Sequence, residues 1–229
     1  GDILKSLAYF HKGLKIEEEI GNKKGIATSF NNIGDIYRRQ GDLPKALEYF
    51  HKSLKIREEI GDKIGISNSF NNIGNIYRRQ GDLPKALEYN HKSLKIREKN
   101  GDKIGLANSL NNIGAIYRLQ GDLPKALEYF LKSLRIDEEI GNKYGIVNSF
   151  NSIGNIELKK GNISGITAAK KYFLKALEIA QEIGSPDLIS DASRHLSKVY
   201  EKQGKGMKAL AMHQLHIQMR DSINNEATL

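Results

Sequence analysis

The stretch that decides the fold is Gly61–Asn100, GDKIGISNSFNNIGNIYRRQGDLPKALEYNHKSLKIREKN. Most of the chain repeats it at an offset of 40 residues. Its second half is identical to Gly41–Ile60 at 17 of 20 positions, and its first half to Gly21–Gln40 at 15 of 20. Identity at this level and at a fixed spacing indicates a repeat array, in which each copy is one supersecondary unit.

Each unit is predicted to form two helices. Gly61 and Gly81 end two segments of helical length, and apolar residues recur inside them every three or four positions. The apolar arc of the first helix consists of Phe70, Ile73, Gly74 and Tyr77. The opposite arc carries asparagines and arginines. Because one helix pair cannot bury its apolar face alone, the copies are expected to stack into a solenoid.

The predicted organisation is a single array over residues 1–229. It comprises a leading second helix at 1–20, five helix pairs at 21–60, 61–100, 101–140, 141–183 and 185–220, and a tail at 221–229. Asp42, Asp82 and Asp122 are the predicted N-caps of second helices, each with a proline in the first turn. The fourth pair carries three extra residues, expected in the loop or first turn around 162–166. Since the leading helix lacks a partner, further sequence is expected before it.

Composition excludes several classes of protein. With 39% hydrophobic and 28% charged residues evenly spread, no stretch is expected to span a membrane. The absence of cysteine excludes disulfides and thiol nucleophiles, and it suits a soluble protein of either the cytoplasm or the periplasm. The net charge of +9 comes from lysines and arginines interspersed with carboxylates, which indicates solvated helix faces.

The interior glycines of the first helices have a predicted structural role. Gly34, Gly74, Gly114 and Gly154 lie within the apolar arc at the repeat spacing. A glycine in a helix interior costs about 1 kcal/mol relative to alanine. We therefore expect these positions to allow the close approach of a neighbouring helix.

The residues of the repeat also carry a family resemblance. The order Phe70, Ile73, Gly74, Tyr77, Gly81, Asp82, Ala86 and Leu94 resembles the tetratricopeptide repeat pattern. The 40-residue period is similar to the longer-helix variety found in Pins/LGN-type adaptors, kinesin light chains and the Rap and PlcR regulators. The resemblance implies an all-α, right-handed superhelical solenoid whose first helices line a concave groove. Asn90 in place of an aromatic residue and Ser197 in place of glycine depart from the pattern.

A second resemblance concerns residues 196–226, LSKVYEKQGKGMKALAMHQLHIQMRDSINNE. This segment is similar to the end of the repeat region in bacterial tetratricopeptide sensor proteins, where it leads to a transmembrane helix and a kinase, cyclase or DNA-binding domain. It implies the ligand- or partner-binding part of a larger signalling protein, which would be periplasmic. The alternative is a structural spacer or dimerisation region of a membrane sensor, associating through the end helices.

The motifs of common enzyme classes are missing from the sequence. It contains no phosphate-binding loop, no dinucleotide fingerprint and no HExxH motif, so we expect no catalysis, cofactor or metal. His11, His51 and His91 recur at the repeat spacing, which indicates a scaffold role. His213 and His216 have a spacing that suits two metal ligands, but no carboxylate or cysteine accompanies them.

The asparagines of the first helices are the candidate ligand-binding residues. They are Asn31, Asn68, Asn71, Asn75, Asn108, Asn111, Asn148, Asn151 and Asn155. An amide offers a donor and an acceptor, as a peptide backbone requires, and the resemblance places these amides along the groove. We expect Asn71, Asn111 and Asn151 to hold an extended peptide. In the alternative interpretation the asparagines are polar surface residues copied with the repeat, or bond the adjacent repeat.

A basic stripe accompanies the amides. It consists of Arg38, Arg39, Arg78, Arg79, Arg118, Lys159, Lys198 and Lys202. Arg38, Arg78 and Arg118 are included among the peptide-binding candidates, since arginine holds carboxylates bidentately and would favour an acidic peptide or a C-terminus. Nucleic acid is not expected, because the first helices offer no aromatic platform for bases. Specificity is expected from the fifth pair or the insertion near residues 162–166.

Overall fold

The computed structural model describes residues 2–226, with side chains described for residues 5–223. Within this range the chain forms eleven α-helices and no strand. They are α1 (Asp2–Glu19), α2 (Lys23–Gln40), α3 (Leu43–Glu59), α4 (Lys63–Gln80), α5 (Leu83–Asn100), α6 (Lys103–Gln120), α7 (Leu123–Glu139), α8 (Lys143–Lys159), α9 (Ile163–Ile183), α10 (Pro186–Lys202) and α11 (Gly206–Glu226). Gly1 and residues 227–229, the end of the predicted tail, lie outside the described residues. The all-α class is confirmed.

The chain divides into two compact units, residues 1–116 and 117–229, with the boundary inside α6. In the first unit α2 packs against α3, and α4 against α5, while α1 covers α2 and α3 meets α4. In the second unit α8 packs against α9 and α10 against α11, with α7 on α8 and α9 on α10. Each of these four pairs therefore buries its apolar face against its neighbours within the unit, as a helical repeat requires.

The predicted helix starts are confirmed. The carboxylate Oδ1 of Asp42 accepts a hydrogen bond from the amide of Lys45 at 3.1 Å, and Pro44 occupies the first turn. The same bond caps α5 at Asp82 and α7 at Asp122. The preceding Gly41 has φ of +82°, a left-handed conformation that glycine adopts without a steric cost. The glycine-aspartate-proline pattern thus fixes both the end of one helix and the start of the next.

The interior glycines allow close helix packing, as predicted. A Cβ added to Gly74 would meet the side chain of Asn90 and the carbonyl oxygen of Ala86 on α5. At Gly34 it would meet the ring of Phe50 on α3. The neighbouring Ile73 is fully buried, whereas Phe70 and Tyr77 lie half-buried at the edge of the core.

Asn90 is accommodated by a local hydrogen bond. Its Nδ2 donates to the carbonyl oxygen of Ala86 at 2.8 Å, one turn earlier on α5. Its Oδ1 is buried and has no partner among the described residues. The position is completely buried, as it is where Phe50 occupies it in α3. The departure from the repeat pattern therefore places a half-satisfied amide in the core.

The three extra residues of the fourth pair lengthen a helix. Phe130 is the eighth residue of α7, whereas the equivalent Phe173 is the eleventh residue of α9. The helix begins after Asn162, whose Oδ1 accepts from the amide of Gly165 at 2.7 Å. The insertion thus forms an additional first turn of α9, in the predicted region, and leaves Ile163 86% exposed.

The repeated histidines pack against aromatic rings. His11 meets the ring of Tyr49 edge-on at a centroid distance of 6.3 Å, and His51 meets Tyr89 in the same way. Burial lowers the pKa of His51 and of His91. The rings of His213 and His216 lie 6.2 Å apart, but no group of three or more potential metal ligands occurs in the described part of the chain.

Among the helices formed by residues 2–226, none combines the length and the apolar character that crossing a bilayer requires.

Candidate functional site

The polar faces of α2, α4 and α6 line a cavity of about 290 Å³ in the first unit, here called the amide groove. Its lining consists of Asn31, Arg57, Asn68, Asn71, Asn72, Asn75, Arg97 and Asn112. Four predicted site residues meet here: Asn31, Asn68, Asn71 and Asn75. Asn72, Asn112 and the two arginines were not predicted as site residues, although Asn72 belongs to the same polar arc.

Some amides of the groove hold neighbouring repeats together. The Nδ2 of Asn72 donates to the Oδ1 of Asn31 at 2.8 Å, from α4 to α2. The hydroxyl of Ser109 on α6 donates to the Oδ1 of Asn71 at 3.3 Å. Asn71 is only 8% exposed. These asparagines therefore have a structural function across the repeats, whatever else they bind.

Other amides keep their bonding capacity. Within the described residues, the side chains of Asn75 and Asn112 form no hydrogen bond to another group. Both are half-buried and line the amide groove. Each side chain offers two N–H donors and a carbonyl acceptor. Asn75 and Asn112 are thus the groups best placed to bond an incoming ligand.

Two arginines from the second helices are buried beside the amides. An Nη1–H of Arg57 donates to the carbonyl oxygen of Gly65 at 2.6 Å, and Nη2 of Arg97 donates to the Oδ1 of Asn68 at 2.6 Å. Burial lowers the pKa of both guanidiniums, although the charges of Asp62 and Asp102 oppose this. Their positive charges add to the potential of the groove.

The burial of these arginines had a signal in the sequence. Gly65 and Gly105 recur in the first turn of the first helices, and a Cβ at either would clash with the arginine side chain. A glycine repeated at the start of a helix therefore marks where a side chain from the preceding helix must pass. The sequence does not show which helix lies opposite Gly65 and Gly105, so these glycines alone could not identify Arg57 and Arg97 as the buried side chains.

A second cavity, of about 310 Å³, adjoins the amide groove through the shared residues Asn72, Asn75 and Asn112. The rest of its lining is Asp35, Arg38, Arg78 and Arg79. Asp35 accepts hydrogen bonds from Nε of Arg38 at 2.7 Å and from Nε of Arg39 at 2.8 Å. The predicted Arg38 and Arg78 thus lie next to the amides, and the carboxylate of Asp35 offsets part of the charge of Arg38 and Arg39.

Four predicted asparagines line neither of these two cavities. Asn108 and Asn148 are exposed, and Asn111 is half-buried. Asn151 is 8% exposed, and its buried Oδ1 has no partner among the described residues. The ligand-binding roles of these residues stay predictions.

The second unit contains a larger cavity, of about 650 Å³, here called the basic pocket. It is lined by Arg118, Ser152, Asn155, Leu158, Lys159, Gly161, Arg194, His195, Lys198 and Lys202. The predicted Arg118 and Asn155 lie here, together with the three lysines of the predicted basic stripe. Five of the lining residues are cationic, and none carries a carboxylate.

His195 forms part of the wall of the basic pocket. Its ring stacks on Phe173 at a centroid distance of 4.8 Å, and Nε2 lies 3.3 Å from the Nδ2 of Asn155. Burial lowers the pKa of His195 to about 4, and the charge of Arg194 acts in the same direction. The imidazole is therefore neutral at pH 7.

Comparison with known proteins identifies the repeat. The family model described as "Tetratricopeptide repeat" matches residues 1–59 and 65–139, more than half of the chain. No curated protein sequence matches the chain significantly.

Solved structures share the fold at low sequence identity. BtubC (BKLC) from P. vanneervenii aligns with a TM-score of 0.79 and 19% identity, covering 98% of this chain and 93% of that one. The apo form of RapI aligns with a TM-score of 0.72 and 21% identity, covering 98% and 79%. The Rap conjugation gene regulator of plasmid pLS20 was solved in complex with the Phr* peptide. It aligns with a TM-score of 0.77 and 18% identity, and the alignment covers 90% of this chain and 57% of that one.

Three features agree: the 40-residue helix pairs, the glycines that admit the opposing helix, and the match of the family model. The chain belongs to the tetratricopeptide repeat family.

Proposed function

We propose that this protein is a non-enzymatic scaffold that binds an extended peptide or protein segment in the amide groove. The observation that carries the proposal is that six asparagines from three successive first helices line one cavity. A row of amides complements a peptide backbone, whose N–H and C=O groups alternate along the chain. The groove therefore suits a ligand recognised mainly through its main chain.

The charges around the amide groove favour an acidic ligand. Arg57 and Arg97 lie in the groove, and Arg38, Arg78 and Arg79 line the adjoining cavity, where Asp35 is the single carboxylate. A guanidinium removed from bulk water binds a carboxylate more strongly than an exposed one does. The structural relative solved with the Phr* peptide supports a peptide as the ligand class. A place within a larger bacterial signalling protein is part of the same proposal.

The test measures peptide affinity after removal of single amides. The probe is the tightest decapeptide selected from a random displayed library, labelled with fluorescein and followed by fluorescence anisotropy. Asn75→Ala and Asn112→Ala should each weaken binding about 3- to 10-fold, the effect of about 0.5–1.5 kcal/mol per hydrogen bond. The thermal midpoint should hardly change, since neither side chain bonds another described residue.

Asn148→Ala is the matched control. Asn148 is an exposed asparagine of α8 that lines neither the amide groove nor the basic pocket. Its removal should leave the affinity unchanged. Equal affinities for the parent protein and for the double variant lacking Asn75 and Asn112 would disprove peptide binding in the amide groove.

One observation favours the second candidate, a spacer or dimerisation region. Helix α1 and the residue that follows it expose large apolar side chains: Tyr9 is 75% exposed and Ile16 51% within the helix, and Ile20 just after it is 68% exposed. Such a surface suits association with another chain. Light scattering over a wide range of protein concentrations tests this, because Tyr9→Asp and Ile16→Asp should then convert a dimer to a monomer. A parent protein that is monomeric throughout would rule out self-association through α1.

A further inference from the structure

Four of the five cations of the basic pocket have no carboxylate partner in the described part of the chain. Within the described residues, Arg118, Lys159, Lys198 and Lys202 have no carboxylate within 4.0 Å, the limit of an ion pair. Several lysines elsewhere in the molecule pair within one helical turn, as Lys85 does with Asp82 at 3.2 Å. Four unpaired positive charges on one cavity repel each other, so the pocket gains stability when an anion enters.

Two carboxylates on the helices that carry the pocket, Asp191 on α10 and Glu157 on α8, are paired with cations. Asp191 accepts from Nη2 of Arg194 at 3.0 Å. Glu157 accepts from Nζ of Lys160 at 2.7 Å, a cation that does not line the pocket. Of the five cationic lining residues, only Arg194 is offset in this way. The residues that line the pocket therefore carry a net positive charge.

The cations replace amides at equivalent positions of the repeat. Helix α10 aligns with α4 through Leu196, which takes the place of Ile73. In this alignment Arg194 stands where α4 has Asn71, and Lys198 stands where α4 has Asn75. The same face of the first helix thus bears amides in α4 and positive charges in α10.

The rest of the lining supplies neutral hydrogen-bonding groups. Ser152 and Asn155 offer a hydroxyl and an amide, and the Nε2 of His195 lies within hydrogen-bonding distance of Asn155. Leu158 and Gly161 provide an apolar part of the wall. Such a mixture of cations, neutral donors and apolar surface suits a small molecule that is only partly charged.

We propose that the basic pocket binds a small molecule that carries two or more linked phosphate groups. One phosphate monoester carries about −1.5 to −2 charges at pH 7. Linked phosphates concentrate twice that charge within a few ångströms, which matches four unpaired cations on one cavity. Arginine adds bidentate hydrogen bonds to phosphate oxygens. This proposal does not depend on peptide binding, because the basic pocket lies wholly within the second unit.

The test uses inorganic pyrophosphate as the probe, with titration calorimetry on the full chain. Lys198→Asn installs the residue that α4 carries at this position, and Lys202→Gln removes a second exposed charge. Each should weaken pyrophosphate binding about tenfold, whereas Lys198→Arg should retain most of the affinity. Raising the ionic strength from about 0.01 M to about 0.15 M should weaken binding, because the Debye length shortens from about 30 Å to about 8 Å.

The control variant is Lys55→Gln, which removes one exposed lysine of α3 that lines neither named cavity. It should leave pyrophosphate affinity unchanged; an equal loss in this variant would show non-specific attraction and overturn the site. Orthophosphate binding as tight as pyrophosphate would overturn the linked-phosphate class. If a peptide with two adjacent phosphoserines bound more tightly than pyrophosphate, the proposal that the ligand is a small molecule would be contradicted. Because all these variants keep the amide groove intact, the outcome is separable from that of the peptide experiment.

Discussion

The two units present the same helix face with different chemistry. At the position of Asn75, the first unit has Asp35 in α2, Asn75 in α4 and Ala115 in α6, while the second unit has Asn155 in α8 and Lys198 in α10. The buried face changes far less: Ile33, Ile73, Ile153 and Leu196 stand at one equivalent position, and all are completely buried. The apolar arc is constrained by packing, whereas the polar arc is free to vary, so the ligand can change while the fold is kept.

The largest expected effect comes from His195, which stands in α10 where α4 has Asn72. Its pKa is lowered to about 4 by burial, against about 6.5 in the unfolded chain. Since the unfolded state then binds the extra proton, stability is present above pH 6.5 and is lost as the pH falls toward 4. The loss amounts to about 3 kcal/mol, an order-of-magnitude value from the linkage between protonation and unfolding.

His195→Asn gives α10 the asparagine that α4 has at the equivalent position, Asn72, and should remove this pH dependence of stability. Urea unfolding of the parent and the variant at several pH values measures the difference between them. The variant is expected to be less stable at pH 7, because the ring no longer stacks on Phe173. The difference should shrink by about 3 kcal/mol between pH 7 and pH 4. Parallel stability profiles would contradict a buried, neutral histidine.

A second prediction concerns the core position where the units differ, Asn90 in α5 and Phe173 in α9. Asn90→Phe should stabilise the protein by about 2 kcal/mol, since it buries an aromatic ring and removes an unsatisfied oxygen. The gain is limited by the lost bond to Ala86. Chemical denaturation measures the change in the free energy of unfolding. The buried Phe50 occupies the equivalent position of α3, so a phenylalanine ring fits at this position of the repeat. A destabilised variant would mean that the space at residue 90 is narrower than at residue 50.

The smallest expected effect comes from making the first unit resemble the second. Asp35→Asn should release Arg38 and Arg39 from their carboxylate and raise pyrophosphate affinity at the first unit about threefold to tenfold. The measurement uses the Lys198→Asn background, in which the basic pocket is weakened. Glu98→Gln removes an equal charge from an exposed position of α5 and should change little. Equal gains in both variants would show that net charge alone controls the affinity.

Periodicity allowed the fold to be predicted in some detail. The spacing of Gly41, Asp42 and Pro44 located a helix end and the next start, because each of these residues has a specific backbone role. Gly74 indicated close helix packing, since a glycine in a helix interior weakens the helix and a nearby backbone or side chain can require the space. These features depend on local chemistry, which can be read from neighbouring residues.

The candidate site could be predicted only in part. The polar arc was correctly assigned to one face, but the bond between Asn72 and Asn31 depends on side-chain positions across two repeats. Arg57 resembles a solvated charge at a helix end, and its burial follows from the helix opposite. His195 stacks on Phe173 from the divergent helix α10. No other first helix has a histidine at this position, so the repeat pattern could not predict this contact.

The hydrogen bonds formed by serines of the second helices bear on how the number of repeats can increase by gene duplication. The hydroxyl of Ser53 donates to the carbonyl oxygen of Ala27 at 2.8 Å, and that of Ser93 to Ser67 at 2.9 Å, both across 26 residues. When a gene duplicates a whole 40-residue block, the new copy brings donor and acceptor together and satisfies its own buried bond at once. A duplicated block that is not a whole number of repeats can separate the two groups and leave one of them unsatisfied, so unequal recombination is filtered toward complete repeats.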